Sequence, residues 1–250
     1  MNTEPVGNTA VSPKASLNKK RTLFIASISL VVVLAAIFLY SFIQPAVKDE
    51  RIFVSNISAN QAAISWVTDA PARKWVVLTE KGSNTPINFK DDKEKSFLPL
   101  GAFNLHYVTA SNLKPDTAYQ FKIFQDFKQT GSGTFTTSPK VIGVTVTKMV
   151  SGQILSAEKS PAPGVIVYLQ LIEGTKQSTL LSAVTDKEGK WQANILGART
   201  ADLKEEFKIA SRSAALVIAE AAKAGRFYAR FGVDNKIQSL PNIILQGAKQ

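Results

Sequence analysis

The side chains that most often carry catalysis or bind metal ions are scarce in this chain. It has no cysteine and a single histidine, His106. One imidazole without any thiolate cannot supply a two-metal hydrolase site or a nucleophilic cysteine. We expect His106 to be an ordinary strand residue on one face of a β-sheet. The sequence therefore predicts no catalytic residue, no cofactor site and no metal site.

Carboxylate pairs are the remaining candidates for acid–base chemistry. Asp186 and Glu188 belong to D-K-E-G, in which Gly189 favours a tight turn. We expect an exposed hairpin tip there, because a calcium loop needs more oxygen ligands and a catalytic pair needs a desolvated pocket. A glycan hydrolase using Asp126 and Glu173 is a minor alternative, since such enzymes need two carboxyl groups roughly 5–10 Å apart in a cleft. We expect a protein that is not an enzyme.

A long apolar stretch near the N-terminus predicts a transmembrane helix. The 26 residues between Arg21 and Lys48 carry no charge. As a helix they measure about 39 Å, which exceeds the roughly 30 Å hydrocarbon core of a bilayer. The apolar part of a cleaved signal peptide is shorter, roughly 7–15 residues. We therefore expect residues 22–44 to form a transmembrane signal-anchor helix, because a single span in lipid satisfies its backbone only as a helix.

The charges that flank this stretch predict its orientation. Before the span all the nearby charges are positive, and after it the charges are mixed; they are Lys14, Lys19, Lys20 and Arg21, then Lys48, Asp49, Glu50 and Arg51. The positive-inside rule places residues 1–21 in the cytoplasm as a disordered tail, and the C-terminal domains outside the cell membrane.

The membrane is the partner that the sequence predicts most directly. The formal net charge of +11 could draw the chain to acidic envelope polymers, although scattered lysines indicate solubility first. Cell-envelope polysaccharide and other membrane proteins stay open as partners. Nucleic-acid binding is not expected, because it needs a basic face studded with aromatic side chains.

Residues 51–138 have the pattern of an antiparallel β-sandwich. Six short alternating stretches separated by turns predict strands at 52–57, 62–66, 74–78, 106–110, 119–123 and 134–136. The stretch E-K-G-S-N-T-P is read as a turn, and D-D-K-E-K as a solvated loop. The motif L-K-P-D-T-A-Y predicts a tyrosine corner, in which the Tyr119 hydroxyl bonds to nearby backbone. Trp66 is expected in the core.

These motifs, with the closing T-F-T-T-S-P, resemble a fibronectin type III domain. They are particularly similar to the sandwich found N-terminal to purple acid phosphatase catalytic domains. The resemblance covers residues 51–138 and implies an immunoglobulin-like fold. The catalytic chemistry of that phosphatase family belongs to a separate metal-binding domain, whose motifs have no counterpart in this chain.

Residues 141–247 show a second series of alternating stretches. Strands are predicted within 141–155, 161–171 and 180–195, and the order G-Q-I-L, P-A-P-G-V-I-V-Y-L, T-D-K-E-G-K-W resembles a carboxypeptidase regulatory-like domain, a transthyretin-type sandwich of bacterial surface proteins. The stretch A-D-L-K-E-E-F suggests one or two helical turns. Residues 214–225 suit a helix or a strand, and we favour a strand over 215–220. Residues 240–245 predict a closing strand.

The sequence thus predicts an all-β chain, with an N-terminal transmembrane helix followed by two immunoglobulin-like antiparallel β-sandwich domains. The expected function is a membrane-anchored, outward-facing, non-catalytic binding or structural protein, such as a cell-surface spacer, an adhesin or an envelope-polymer binder. A subunit of an envelope secretion or pilus-type assembly is the alternative. Binding is expected on inter-strand loops, above all residues 80–98, because rigid scaffolds present ligands to loops.

Overall fold

The computed structural model describes residues 24–25, 30–34, 49–94, 101–140, 148–195, 198–210, 213–222, 225–233 and 239–246. The chain forms two compact units, Met1–Pro45 and Ala46–Gln250. In the first unit, residues 24–25 and 30–34 are helical and their apolar side chains are exposed. None of the described helical pieces has the length and hydropathy of a membrane span. The predicted tail and most of the predicted span lie outside the described residues.

The second unit begins with a sandwich of seven antiparallel strands. Its sheets have the orders β1-β2-β5 and β4-β3-β6-β7. Alternate residues of β2, such as Ile64 and Trp66, pack in the core against Phe121 and Ile123 of β6. The predicted antiparallel β-sandwich is confirmed in these strands: β1 (Asp49–Ser55), β2 (Gln61–Ala72), β3 (Trp75–Glu80), β4 (Pro86–Lys90), β5 (Phe103–Ser111), β6 (Ala118–Gln125) and β7 (Lys128–Thr136).

Strand β4 is the element of this sandwich that the sequence pattern did not indicate. Its five residues pair with β3, and Phe89 lies opposite Val76 and packs against the core. Pro86 occupies its first position, where an edge strand tolerates a residue without an N–H group. The strand has only two apolar side chains and follows a run of turn residues. Its alternation of apolar and polar residues is therefore too short to identify a strand from the sequence.

The tyrosine corner is confirmed. The Tyr119 hydroxyl accepts a hydrogen bond from the backbone N–H of Lys114 at 2.9 Å. The ring is buried and stacks on Phe135, with 5.7 Å between ring centroids. The bond fixes the chain where it passes from the Leu113 turn into β6.

A second sandwich follows the first. In one sheet β10 and β11 both pair with β9, β9 also pairs with β13, and β13 pairs with β14. The other sheet has the order β12-β8-β15. Its core contains Trp191, Leu169 and Val217. Its strands are β8 (Met149–Leu155), β9 (Ile166–Glu173), β10 (Lys176–Gln177), β11 (Leu181–Val184), β12 (Lys190–Asn194), β13 (Ala214–Glu220), β14 (Arg226–Gly232) and β15 (Ile243–Ile244).

Several expectations for this sandwich are confirmed, and two are wrong. The favoured strand over 215–220 is β13, and Gly189 takes a φ of +71° in the tight turn before β12. A-D-L-K-E-E-F is not helical, because a bridge between Arg199 and Glu206 closes it as an irregular turn. The sandwich is also not purely antiparallel, since β15 runs parallel to β8 and extends the parallel bridge between Ser151 and Ser239.

Tyr119→Phe tests the corner. We expect a loss of about 1–3 kcal/mol in the free energy of unfolding, because the N–H of Lys114 loses its acceptor. Urea denaturation followed by tryptophan fluorescence measures it, with the exposed Tyr228→Phe as the control. A loss equal to that of the control would contradict a stabilising role for the hydroxyl.

Candidate functional site

The two sandwiches pack against each other through the outer faces of two sheets. Ala63, Ser65 and Val67 of β2 point away from the first core, and yet Ala63 and Ser65 are completely buried. Ile166 and Tyr168 of β9 point away from the second core and are equally buried. A strand that is covered on both faces has a second layer over its outer side. The sheets β1-β2-β5 and β11-β9-β13 therefore form a contact between the sandwiches.

Asn56 is the centre of the polar part of this contact. Its side-chain amide donates to the Tyr107 hydroxyl and to the carbonyl of Ser182, both at 2.9 Å. Its side-chain oxygen accepts from the backbone N–H of Ser182 at 2.8 Å, and its own N–H donates to the carbonyl of Leu180. Asn56 has a φ of +50°, a conformation that asparagine adopts more readily than most residues. One residue thus bonds to the backbone and the side chain of β11 in the other sandwich.

Charged and aromatic groups form the other part of the contact. Glu220 is completely buried, and its Oε2 lies 3.1 Å from Arg51 Nε and 2.9 Å from Arg226 Nε. Phe53 packs on Tyr168 with 4.9 Å between ring centroids, and the Tyr168 hydroxyl lies 2.8 Å from Ser65 Oγ. Burial raises the pKa of the Tyr168 hydroxyl. A buried carboxylate that touches an arginine from each sandwich favours one arrangement of the two domains.

The segment 91–94 after β4 is only partly the solvated loop that the sequence suggested, because Asp92 and Lys93 are exposed and Asp91 is not. Asp91 is buried, and its two carboxylate oxygens accept from the N–H groups of Lys93 and Tyr107 at 3.0 and 3.1 Å. Asp92 accepts from the N–H of Thr109 at 2.8 Å, and Lys93 Nζ donates to the carbonyl of Leu105. These side chains bond to alternate residues along the outer edge of β5. They satisfy backbone groups that a neighbouring strand would otherwise occupy.

His106 lies beside this segment, inside the first core. Its ring is fully buried and stacks on Trp66 with 4.7 Å between ring centroids. Its Nδ1 lies 3.2 Å from Asp91 Oδ2. Among the residues that the structure describes, no group of three or more His, Asp or Glu side chains is arranged to hold a metal ion. His106 is thus a core residue that extends the Trp66 stack.

A cleft of about 300 Å³ opens where the Asp91–Lys93 segment meets the second sandwich. Its size is at the lower limit of typical ligand pockets. Partial desolvation raises the pKa of Asp92 and lowers the pKa of Lys93, although both side chains remain exposed at the mouth of the cleft. Apolar side chains form much of the floor. The first sandwich lines the cleft with Asp91, Asp92, Lys93, Leu105 and Tyr107, and the second with Gly164, Ile166 and Val184.

Two further depressions lie outside the contact. One of about 600 Å³ runs between residues 88–94 and the end of β5. The other, of about 520 Å³, lies on the outer face of β8 and β12 and carries polar side chains such as Gln153, Lys190, Gln192 and Asn242. Residues of the 80–98 stretch, which the sequence suggested for binding, line two of these three cavities. Residues 95–98 of that stretch lie outside the described part of the chain.

The carboxylates considered in the sequence are not brought together. Asp126 occupies the turn between β6 and β7 in the first sandwich, whereas Glu173 ends β9 in the second and accepts a hydrogen bond from Ser213. Neither residue lines any of the three cavities. Asp186 accepts from the N–H groups of Glu188 and Lys190, as the cap of the hairpin turn. These positions offer no pair of carboxyl groups facing a common space.

Comparison with known proteins gives similarity at the level of the fold. No family model and no curated protein matches the chain. A β-sandwich protein from a computer-based redesign is similar to 38% of this chain over 98% of its own length, with 22% identity and a TM-score of 0.29. The chicken CNTN1 FN1–FN3 domains are similar to 76% of this chain over 66% of their length, with 12% identity and a TM-score of 0.31. Neither similarity extends beyond β-sandwich architecture.

Asn56→Ala tests the polar part of the contact, with Asn112→Ala as its matched control. Both residues have a left-handed φ, of +50° and +59°, but Asn112 is exposed whereas Asn56 is half-buried at the contact. We expect Asn56→Ala to cost about 2–3 kcal/mol, because Ser182 and Tyr107 lose hydrogen-bond partners at the contact. Asn112→Ala should cost about 1 kcal/mol from backbone strain alone. Equal losses in urea denaturation would show that the Asn56 side chain does not join the sandwiches.

Proposed function

We propose that this chain is a membrane-anchored, outward-facing, non-catalytic protein that binds or spaces components of the cell envelope. The uncharged stretch 22–47 supports the anchor, and the basic residues before it support an outward orientation.

The buried contact between the sandwiches is the observation that carries the structural role. Two domains joined by a flexible linker move independently, and their interfaces are small and polar. Here Ser65 and Tyr168 are fully buried between the sheets, and Asn56 bonds to β11 through backbone and side chain. A pair of sandwiches held in this way acts as one rigid body, which suits a spacer or a presenting platform.

The groove on β8 and β12 supports an envelope polysaccharide as the ligand. Polysaccharides expose hydroxyl groups, which bind through amides, hydroxyls and charged side chains. Gln192 and Lys190 are two residues apart on β12, so they project from the same face of the sheet. Gln153 and Asn242 extend this polar row across β8, where they share a hydrogen bond of 3.2 Å.

Single cysteines test the anchor and its orientation, because the chain has none of its own. In spheroplasts that carry the full chain, a membrane-impermeant maleimide should label Gln192→Cys and leave Ser16→Cys unlabelled. After permeabilisation both should react equally, which controls for the reactivity of each thiol. Labelling of Ser16→Cys in intact spheroplasts, or recovery of the chain without detergent, would contradict the proposal.

Retention on insoluble envelope polysaccharide tests the ligand. The full chain in mild detergent should be retained on an acidic polysaccharide of this kind, and Lys190→Glu should weaken retention roughly tenfold or more, because one charge-assisted bond is lost and a carboxylate that repels the anionic polymer replaces it. Gln129→Ala, an exposed change on β7 of the first sandwich, should be retained like the unmodified chain. Retention that Lys190→Glu leaves unchanged would exclude this groove, whatever the outcome of the labelling.

A further inference from the structure

The outer edge of β14 differs from the other sheet edges of this protein. β14 pairs with β13 over seven residues without a register shift, and among the described residues it has a strand neighbour on that side only. Its sequence R-F-Y-A-R-F-G contains neither lysine nor proline. Tyr228 is 64% exposed, and Phe227 and Phe231 pack against the second core while they remain half-buried. Such an edge presents unpaired backbone groups to any chain that can add a strand.

The other described edges carry features that prevent strand addition. Natural sheets use short strands, proline, lysine, register shifts and side-chain caps for this purpose. Each device is present here. β4 begins with Pro86 and β12 with Lys190, and the strands β10, β11 and β15 have only two, four and two residues. Register shifts occur between β1 and β2 and between β7 and β6, and β7 also contains Gly131 and Gly133, while the side chains of Asp91, Asp92 and Lys93 bond to the edge of β5. β14 has none of these, and its two charged side chains are arginines, of which Arg226 bonds to Glu220.

The sequence of β14 is complementary to itself in one antiparallel register. When Ala229 lies opposite Ala229 of a second copy, Phe227 faces Phe231 and Tyr228 faces Arg230, each pair occurring twice. These are aromatic and cation–π pairs, both of which stabilise neighbouring strands. Arg226 faces Gly232, beside which a Cβ atom would meet no other atom within 4 Å, so the arginine has room. No two like charges stand opposite each other in this register.

We propose that β14 is the docking surface for a second copy of this chain, joined edge to edge in the register centred on Ala229. The contact is isologous, because the same strand serves both copies and a two-fold axis passes between the two Ala229 residues. It joins two five-stranded sheets into one continuous sheet of ten strands. The proposal does not depend on the anchor or on the polysaccharide groove.

Register-specific disulfides test this arrangement in the full chain in mild detergent. Directly opposite residues of antiparallel strands have Cα atoms roughly 4.5–5.5 Å apart, within the range that a disulfide spans. Ala229→Cys should therefore give a covalent dimer under mild oxidation. Gly232→Cys is the matched control on the same strand, because the two copies of residue 232 would lie roughly 20 Å apart. Crosslinking of both variants, of neither, or of Gly232→Cys alone would overturn the proposal.

A mass measurement provides the second test. Multi-angle light scattering of the full chain should give a dimer, and Ala229→Lys should give a monomer, because it places two ammonium groups together on the axis. Ser132→Lys adds the same charge to an exposed position on β7 and should remain dimeric. A monomeric unmodified chain, or a dimeric Ala229→Lys variant with an unchanged unfolding temperature, would overturn the proposal. If Ala229→Lys does not fold, the disulfide pair decides.

Discussion

The structure of the second unit depends on the burial of two β-strands on both of their faces. In an ordinary sandwich the inner face of each strand packs in the core and the outer face meets water. β2 and β9 instead place small or hydroxylated residues outwards, at Ala63, Ser65 and Tyr168, where the neighbouring sandwich covers them. Alanine and serine allow the two sheets to approach closely, and the Tyr168 hydroxyl finds its partner on Ser65 at 2.8 Å. Apolar surface is therefore buried in three places: in the core of each sandwich and in the contact between the two sheets.

Buried charges in this protein are each held by a specific partner. Lys74 Nζ lies 2.5 Å from Asp49 Oδ1, and both side chains are almost completely buried. Burial lowers the pKa of Lys74, while the bond to Asp49 opposes that shift. The pair ties the first residue of β1 to the start of β3. Glu220 has the same role at the contact between sandwiches, and removal of one partner of such a pair is costly because the other charge is left unpaired.

Alternation and turn motifs predicted most strands, because those signals act within a few residues. The corner at Tyr119 and the turn at Gly189 are local patterns with a single structural solution. Residues 214–220 form the strand β13 despite their high helix propensity. The alternate residues Ala215, Val217 and Ala219 all pack in the core, which requires the period of two residues that only a strand has. The transmembrane anchor and the likeness of the second sandwich to a carboxypeptidase regulatory-like domain stay predictions.

The contact between sandwiches and the cleft beside it were not accessible to local reasoning. Asn56 and Ser182 are 126 residues apart, and nothing in either local sequence marks them as partners. Within the D-D-K-E-K stretch the prediction was wrong for Asp91, because the composition of the stretch is that of a solvated loop. Its register against β5 decides instead that Asp91 is buried. The one local sign was the run of six small or apolar residues in β2, from Ala62 to Val67, which has no polar face to turn towards water.

That run also affects how this protein can evolve. Many extracellular proteins are assembled from interchangeable modules, whose recombination is tolerated because each module is wetted on every side. Here an exchange of either sandwich for an unrelated one would leave the outer face of β2 or of β9 opposite a surface that does not match it. The two halves are therefore expected to be inherited together, and insertions between them to be selected against.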